Sequence, residues 1–315
     1  MIQTVQGLIP PAQLGFCHSH EHLFLANGHP ATLNPALRID DYTATLSELE
    51  MFQSLGGQAI VDAQPLGCGR MEEELAKVSL QTKIHIVAST GFHKLAFYPA
   101  NHWIRTFSTE ELREVFIHEL TKGMYVGTDS HLPKEYINHK AGLIKTAIDE
   151  ERLNDPEKKW FAAAAQASIE TGVPMMCHTE TVEQGMYLAD LYIALGVSPK
   201  NIIICHLDRK LDNIEAHKKI AEKGCFVEYD TIGRFKYHDD ESEVEMLKQM
   251  LEWGFADAIL LGLDTTRQRL KSYGGEIGLD YMIESFIPLM HRRGIPQETI
   301  DKFMIRNPAI AFSKI

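Results

Sequence analysis

Apolar residues in this chain come in short runs, separated by longer stretches whose apolar positions recur every three or four residues. The short runs predict buried strands over 16–23, 59–63, 84–90, 141–148, 173–179, 202–207, 225–231 and 258–264. The intervening stretches read as helices. One is predicted over 40–55. A second, over 108–121, opens with Ser108-x-x-Glu111, a capping box. A third, over 155–171, has Pro156 in its first turn and Gly172 where it should stop. Eight strands, each followed by helical sequence, predict a parallel α/β architecture, and eight is the number that closes a (β/α)8 TIM barrel. A doubly wound open sheet is the alternative. Such a sheet usually carries a Gly-rich turn after its first strand, whereas here that strand ends in His-Glu-His-Leu. With no internal repeat and no Pro/Gly/Ser linker, residues 1–315 are expected to form a single domain.

Composition narrows the class. Lys and Arg number 31 against 43 Asp and Glu, a formal charge of −12. That balance argues against nucleic-acid or anionic-membrane partners, which need a basic face. No run approaches the ~18 apolar residues of a membrane span, and the first residues lack a signal peptide's basic region. Five widely spaced cysteines with no C-x-x-C form neither a disulfide framework nor a thiolate zinc site, so a reduced, cytoplasmic protein is expected. The unusual number is 15 histidines, several at the ends of apolar runs.

The densest signal is Cys17-His18-Ser19-His20-Glu21-His22. Strand alternation would put the three imidazoles on one face, with His20 and His22 at the exposed C-terminal end and His18 deeper. An edge strand with solvated histidines would look the same. Repetition favours the metal reading: the fifth strand ends in His178, the sixth in His206 and the eighth in Asp264. A barrel would converge these at one mouth, where nitrogen and oxygen ligands suit zinc, manganese, iron or cobalt. Cys177 and Cys205, each one residue before a histidine, are expected to point away and pack. Lys145 stands in an apolar run, where its charge must be removed or paired. A snorkelling lysine or buried ion pair is one explanation. The other is carbamylation, in which the amine adds carbon dioxide and becomes a carboxylate able to bridge two cations.

In this order and on these strand ends, the set resembles the phosphotriesterase-like branch of the amidohydrolase superfamily, from Gly15 to Pro308. The closing Arg306-Asn307-Pro308-Ala309 also matches that family's pattern. The resemblance implies two divalent cations, zinc first among the candidates. One would be held by His20, His22 and Asp264, the other by His178 and His206, with carboxylated Lys145 between them. It further implies hydrolysis by a hydroxide shared by the cations, with Asp264 as the catalytic proton shuttle.

The loops choose the substrate. Although the chain is acidic, 233–237 contains Arg234 and Lys236, and 266–275 contains Arg267, Arg269 and Tyr273. Barrels often bind phosphate on the loops after strands seven and eight. An anionic tail held by Lys236 and Arg267 is therefore expected, with Arg234, Arg269 and Tyr273 as further candidates and the hydroxyl of Tyr98 within reach. Pairing with Asp239, Asp240 and Glu241, or packing in the case of Tyr98, is the competing account. These loops look most like those of the family's phospho-furanose lactonases and phosphotriesterase homology proteins. Members acting on organophosphates or acyl-homoserine lactones have a longer, more apolar eighth loop. The expected substrate is a small phosphorylated furanose lactone. Unphosphorylated lactones, carboxylate esters or phosphoesters are the alternatives, and a non-catalytic metal-binding barrel is a remote one. A homodimer is compatible with this reading.

Overall fold

In the computed structural model, which describes residues 1–314, all eight predicted strands form. A short antiparallel hairpin precedes them, β1 (Ile2–Thr4) and β2 (Gly7–Ile9). The barrel strands are β3 (Cys17–Glu21), β4 (Ala59–Asp62), β5 (His85–Gly91), β6 (Leu143–Ala147), β7 (Met175–His178), β8 (Ile202–Ile204), β9 (Phe226–Tyr229) and β10 (Ile259–Leu261). They pair in chain order and in parallel from β3 to β10.

The ends of this sheet meet. The Ser19 hydroxyl donates to the Leu261 carbonyl at 2.7 Å, and the Asp264 amide donates to the His20 carbonyl at 3.0 Å. Gly262 permits that approach, because a Cβ there would lie 2.9 Å from the His20 backbone. An open doubly wound sheet is thereby excluded. The fold is a (β/α)8 barrel.

Two apolar layers follow from strand alternation. Val61, Leu143, Met176, Ile203 and Leu260 fill the barrel interior below the mouth, where Ile2 and Phe312 join them. Residues of opposite parity, such as Ile60, Ile144, Cys177 and Ile204, pack outward against the helices. The helices begin and end where their local chemistry dictates. Helix α4 (Thr109–Thr121) carries the Ser108–Glu111 capping box. Helix α5 (Asp155–Thr171) is capped by Asn154 and stopped by Gly172 at φ 69°. The side chain of Asn307 donates to the carbonyls of Ala256 and Ile259, which anchors the C-terminal segment beneath β10. No helix among the described residues is long and apolar enough to cross a membrane.

The observed strands are shorter than the apolar runs. Chain beyond the last ladder bond bends into the mouth instead of extending the sheet. His206 (φ 61°) and Asp264 (φ 46°) both take left-handed backbone just past β8 and β10.

Candidate active site

Two local irregularities aim the histidines. A register shift between His18 and Glu21 interrupts the alternation of β3. His18 therefore does not share a face with His20. It turns outward, 4.6 Å from the Phe52 ring, with Nδ1 on Glu21 at 2.9 Å. At β8, alternation sends Cys205 inward with Ile203, and the left-handed turn brings His206 back into the mouth. The expectation that both cysteines point away thus holds for Cys177 alone. Cys205 lies inside the barrel near His20, Glu228 and Asp230.

His20, His22, Lys145, His178, His206 and Asp264 do converge. One ligand atom from each of His20, His22 and Asp264 falls within 4.8 Å of the other two. Nδ1 of His178 faces Nε2 of His206 at 2.7 Å, and Nζ of Lys145 is 3.2 Å from Nε2 of His20.

Carboxylates behind the imidazoles set their tautomers. Nδ1 of His20 donates to Glu228 (2.8 Å) and is 3.2 Å from Asp230, while Nδ1 of His206 donates to Asp230 at 2.5 Å. With Nδ1 held from behind, each ring turns Nε2 toward the mouth, the orientation a metal requires. Burial and Lys145 oppose a charge on His20, but Asp230 and Glu228 raise its pKa to about 9, so a metal there would displace a proton. Burial drives His206 down to about 3 and His178 well below its usual range, so both rings are neutral, the ligand form. Burial also opposes the charge of Asp264, but Arg234, His22 and His206 hold it well below the usual carboxylate range. Lys145 is fully buried and forms no ion pair among the described residues. Ring nitrogens gathered at the mouth, an ionised carboxylate and a buried amine without an ion pair together fit a divalent metal centre.

Glu228 and Asp230 escaped the sequence reading, although two acids in the apolar run 225–231 are the same anomaly that singled out Lys145. Glu180 escaped it too. It meets Nε2 of His178 at 2.9 Å and pairs with both Lys94 and Arg209.

Above the centre opens a cavity of about 420 Å³, lined at its base by His22, His178 and Asp264. Its walls carry Lys94, Arg209, Arg234, Lys236 and Arg269. The predicted substrate residues separate here. Arg234 sits on Asp264 at 3.0 Å, and Arg269 is fixed on the carbonyls of Leu263 and Ile232. Lys236 lies over the Tyr237 ring and forms no ion pair among the described residues. Three candidates stand off the cavity wall. Arg267 donates to the Arg38 carbonyl and stacks on Tyr273, whose hydroxyl is engaged with Asp41 and Thr45. The Tyr98 hydroxyl accepts from the His93 amide and donates to the Leu66 carbonyl.

A family model for the phosphotriesterase family matches residues 1–312. The chain belongs to that family. Membership makes it a metal-dependent hydrolase and implies a binuclear divalent metal centre at the mouth. It is 30% identical over 316 residues to a phospho-furanose lactonase of Mycoplasmopsis agalactiae, covering 98% of this chain and 90% of that protein. Among solved structures, a lactonase from Listeria monocytogenes superposes with a TM-score of 0.90 at 27% identity, covering 100% of this chain and 99% of that one. The phosphotriesterase homology protein from Escherichia coli, solved with phosphate in its active site, gives 0.85 at 30% identity, covering 96% and 99%.

Proposed function

We propose that this member of the family opens a phosphorylated furanose lactone. Lactonases among its relatives support the reaction type, and Lys236 carries the phosphate assignment. It is the cavity cation that no carboxylate or backbone carbonyl occupies among the described residues. A lysine supplies the point charge that a phosphate accepts. Arg234 and Arg209 at the same wall add field, although each already serves a carboxylate.

His20, His22 and Asp264 would hold one divalent cation, and His178 and His206 the other. Lys145, once carboxylated, would bridge them. Zinc suits this donor set, as do manganese, cobalt and iron. When bound, such a pair lowers the pKa of a water toward neutrality and polarises the lactone carbonyl. Asp264 is kept ionised by Arg234, so it can take a proton as the carbonyl is attacked and return it to the ring oxygen as the C–O bond breaks. Glu228 and Asp230 hold the imidazoles still through this exchange.

The test compares Lys236→Ala with Arg267→Ala on phosphorylated and unphosphorylated forms of one lactone. The reading predicts that Lys236→Ala raises KM at least tenfold for the phosphorylated form alone, while Arg267→Ala changes neither. Equal effects of Lys236→Ala on both forms would remove the phosphate assignment and leave an unphosphorylated lactone as substrate.

A further inference from the structure

Outside the mouth, one other group of side chains among the described residues has metal-ligand chemistry. Asp208 belongs to the turn after β8, His238 to the loop between β9 and α8 (Asp240–Glu252), and Glu243 to the first turn of α8. One ligand atom from each lies within 4.8 Å of the other two. Asp208 and Glu243 are fully buried, and His238 reaches in from the half-buried rim.

Ordinary hydrogen bonding does not explain the group. Oδ2 of Asp208 accepts from the Thr231 amide at 2.6 Å, but Oδ1 has no partner. Neither oxygen of Glu243 accepts a hydrogen bond; Nε2 of His238 is 3.1 Å from Oε2 but off the hydrogen-bond direction. No Lys or Arg pairs with either acid among the described residues. Asp240 deepens the deficit: its oxygens are satisfied by the Gly233 amide and the Tyr281 hydroxyl, leaving its charge next to Glu243. Tyr229 is fully buried beside these acids, and its hydroxyl has no partner either; burial, then the charges of Glu243 and Asp208, raise its pKa. Two buried carboxylates thus leave three oxygens without a partner, Oδ1 of Asp208 and both oxygens of Glu243. Beside them is an imidazole whose Nδ1 donates to the Asp239 carbonyl at 3.0 Å and whose Nε2, 3.4 Å from the Thr231 hydroxyl, faces Glu243. Burying such a group is unfavourable unless a cation or protons neutralise it.

We propose that Asp208, His238 and Glu243 bind a divalent transition metal ion, separate from the barrel-mouth centre, that fastens the loop bearing Arg234 and Lys236 to α8. The donor set, two carboxylates and one imidazole, suits zinc or manganese. Ligand atoms on one tetrahedral zinc at ~2.0–2.1 Å lie roughly 3.3 Å apart, close to the 3.1 Å between His238 and Glu243. The ion would join three chain segments and would steady the two cavity cations carried by the loop.

The experiment equilibrates wild type, Glu243→Gln and His238→Gln with zinc alone and counts ions per chain by elemental analysis. Hydrogen exchange is followed across 231–238. Wild type should hold one more zinc per chain than either variant, and zinc should slow exchange in that segment at least tenfold in wild type only. The difference is independent of how many ions the barrel mouth retains, and of whether the substrate is a lactone. Equal zinc counts in all three proteins, or exchange that ignores zinc, would overturn the proposal and leave Asp208 and Glu243 neutralised by protons. If Glu243→Gln fails to fold by circular dichroism, His238→Gln, placed on the rim, supplies the same comparison with wild type.

Discussion

Nη1 of Arg234 lies 3.0 Å from Oδ2 of Asp264, and its Nη2 reaches the Asp264 carbonyl as well. One guanidinium from the seventh loop therefore fixes both the charge and the position of the acid at the end of the eighth strand. If Asp264 moves the proton, a carboxamide in its place cannot. Asp264→Asn should lower kcat by roughly 10²–10⁴-fold, the usual worth of a positioned base. The fold should survive, because the backbone amide of residue 264, not its side chain, closes the barrel on His20. Lactone turnover with a thermal melt checks both halves. A kcat within tenfold of wild type would remove Asp264 from proton transfer.

Asp230 touches two imidazoles at once, His206 at 2.5 Å and His20 at 3.2 Å. Losing its charge should loosen both rings and reduce their basicity. Groups behind metal ligands are typically worth 10–100-fold in metal affinity. Asp230→Asn should therefore release metal to a competing chelator at a 10- to 100-fold lower chelator concentration than wild type. Titration with a chromogenic chelator measures this. Unchanged retention would mean that Glu228 alone, 2.8 Å from His20, suffices.

Much of this site was legible in the amino-acid order. Apolar runs located all eight strands because buried parallel strands leave few other patterns. Chemistry at their ends located His20, His22, His178, His206 and Asp264, and one charge in an oily run located Lys145. What failed was fine geometry. Alternation alone sets His18 beside His20, but a one-residue irregularity in β3 turns it outward. Alternation counted back from His206 sets Cys205 outside, but the left-handed turn at His206 keeps the cysteine in and still delivers the ring. Bulges and single positive-φ residues leave no periodic trace. Loop charges were the hardest to place, because Lys236 and Arg267 have similar local sequence and only the path of each loop separates them.

Away from the mouth, Arg70 forms a two-pronged pair with Glu119, at 2.8 and 2.7 Å, with both side chains essentially buried. Oε1 of Glu119 also accepts from the Tyr125 amide. Removing the acid strands a guanidinium in the protein interior. Glu119→Ala should cost about 3–5 kcal/mol, seen as a lower urea midpoint with an unchanged slope. A midpoint equal to wild type would show that Glu72, 3.4 Å from Nε of Arg70, takes over the pairing.

Glu72 makes the opposite kind of contribution. Burial pushes its carboxyl up to about 7 even though Arg70 acts to lower it. In the unfolded chain a glutamate titrates near ~4.3. Between these values the folded state binds more protons than the unfolded one. Its stability should therefore fall as pH rises through that window, by at most ~1.4 kcal/mol per pH unit for one group. Glutamine cannot titrate, so Glu72→Gln should flatten this part of the profile. The variant should gain on wild type between pH 5 and pH 8, because only wild type must ionise a buried acid. Urea unfolding at the two pH values measures the difference, and parallel profiles for the two proteins would show that Glu72 ionises freely in the folded state.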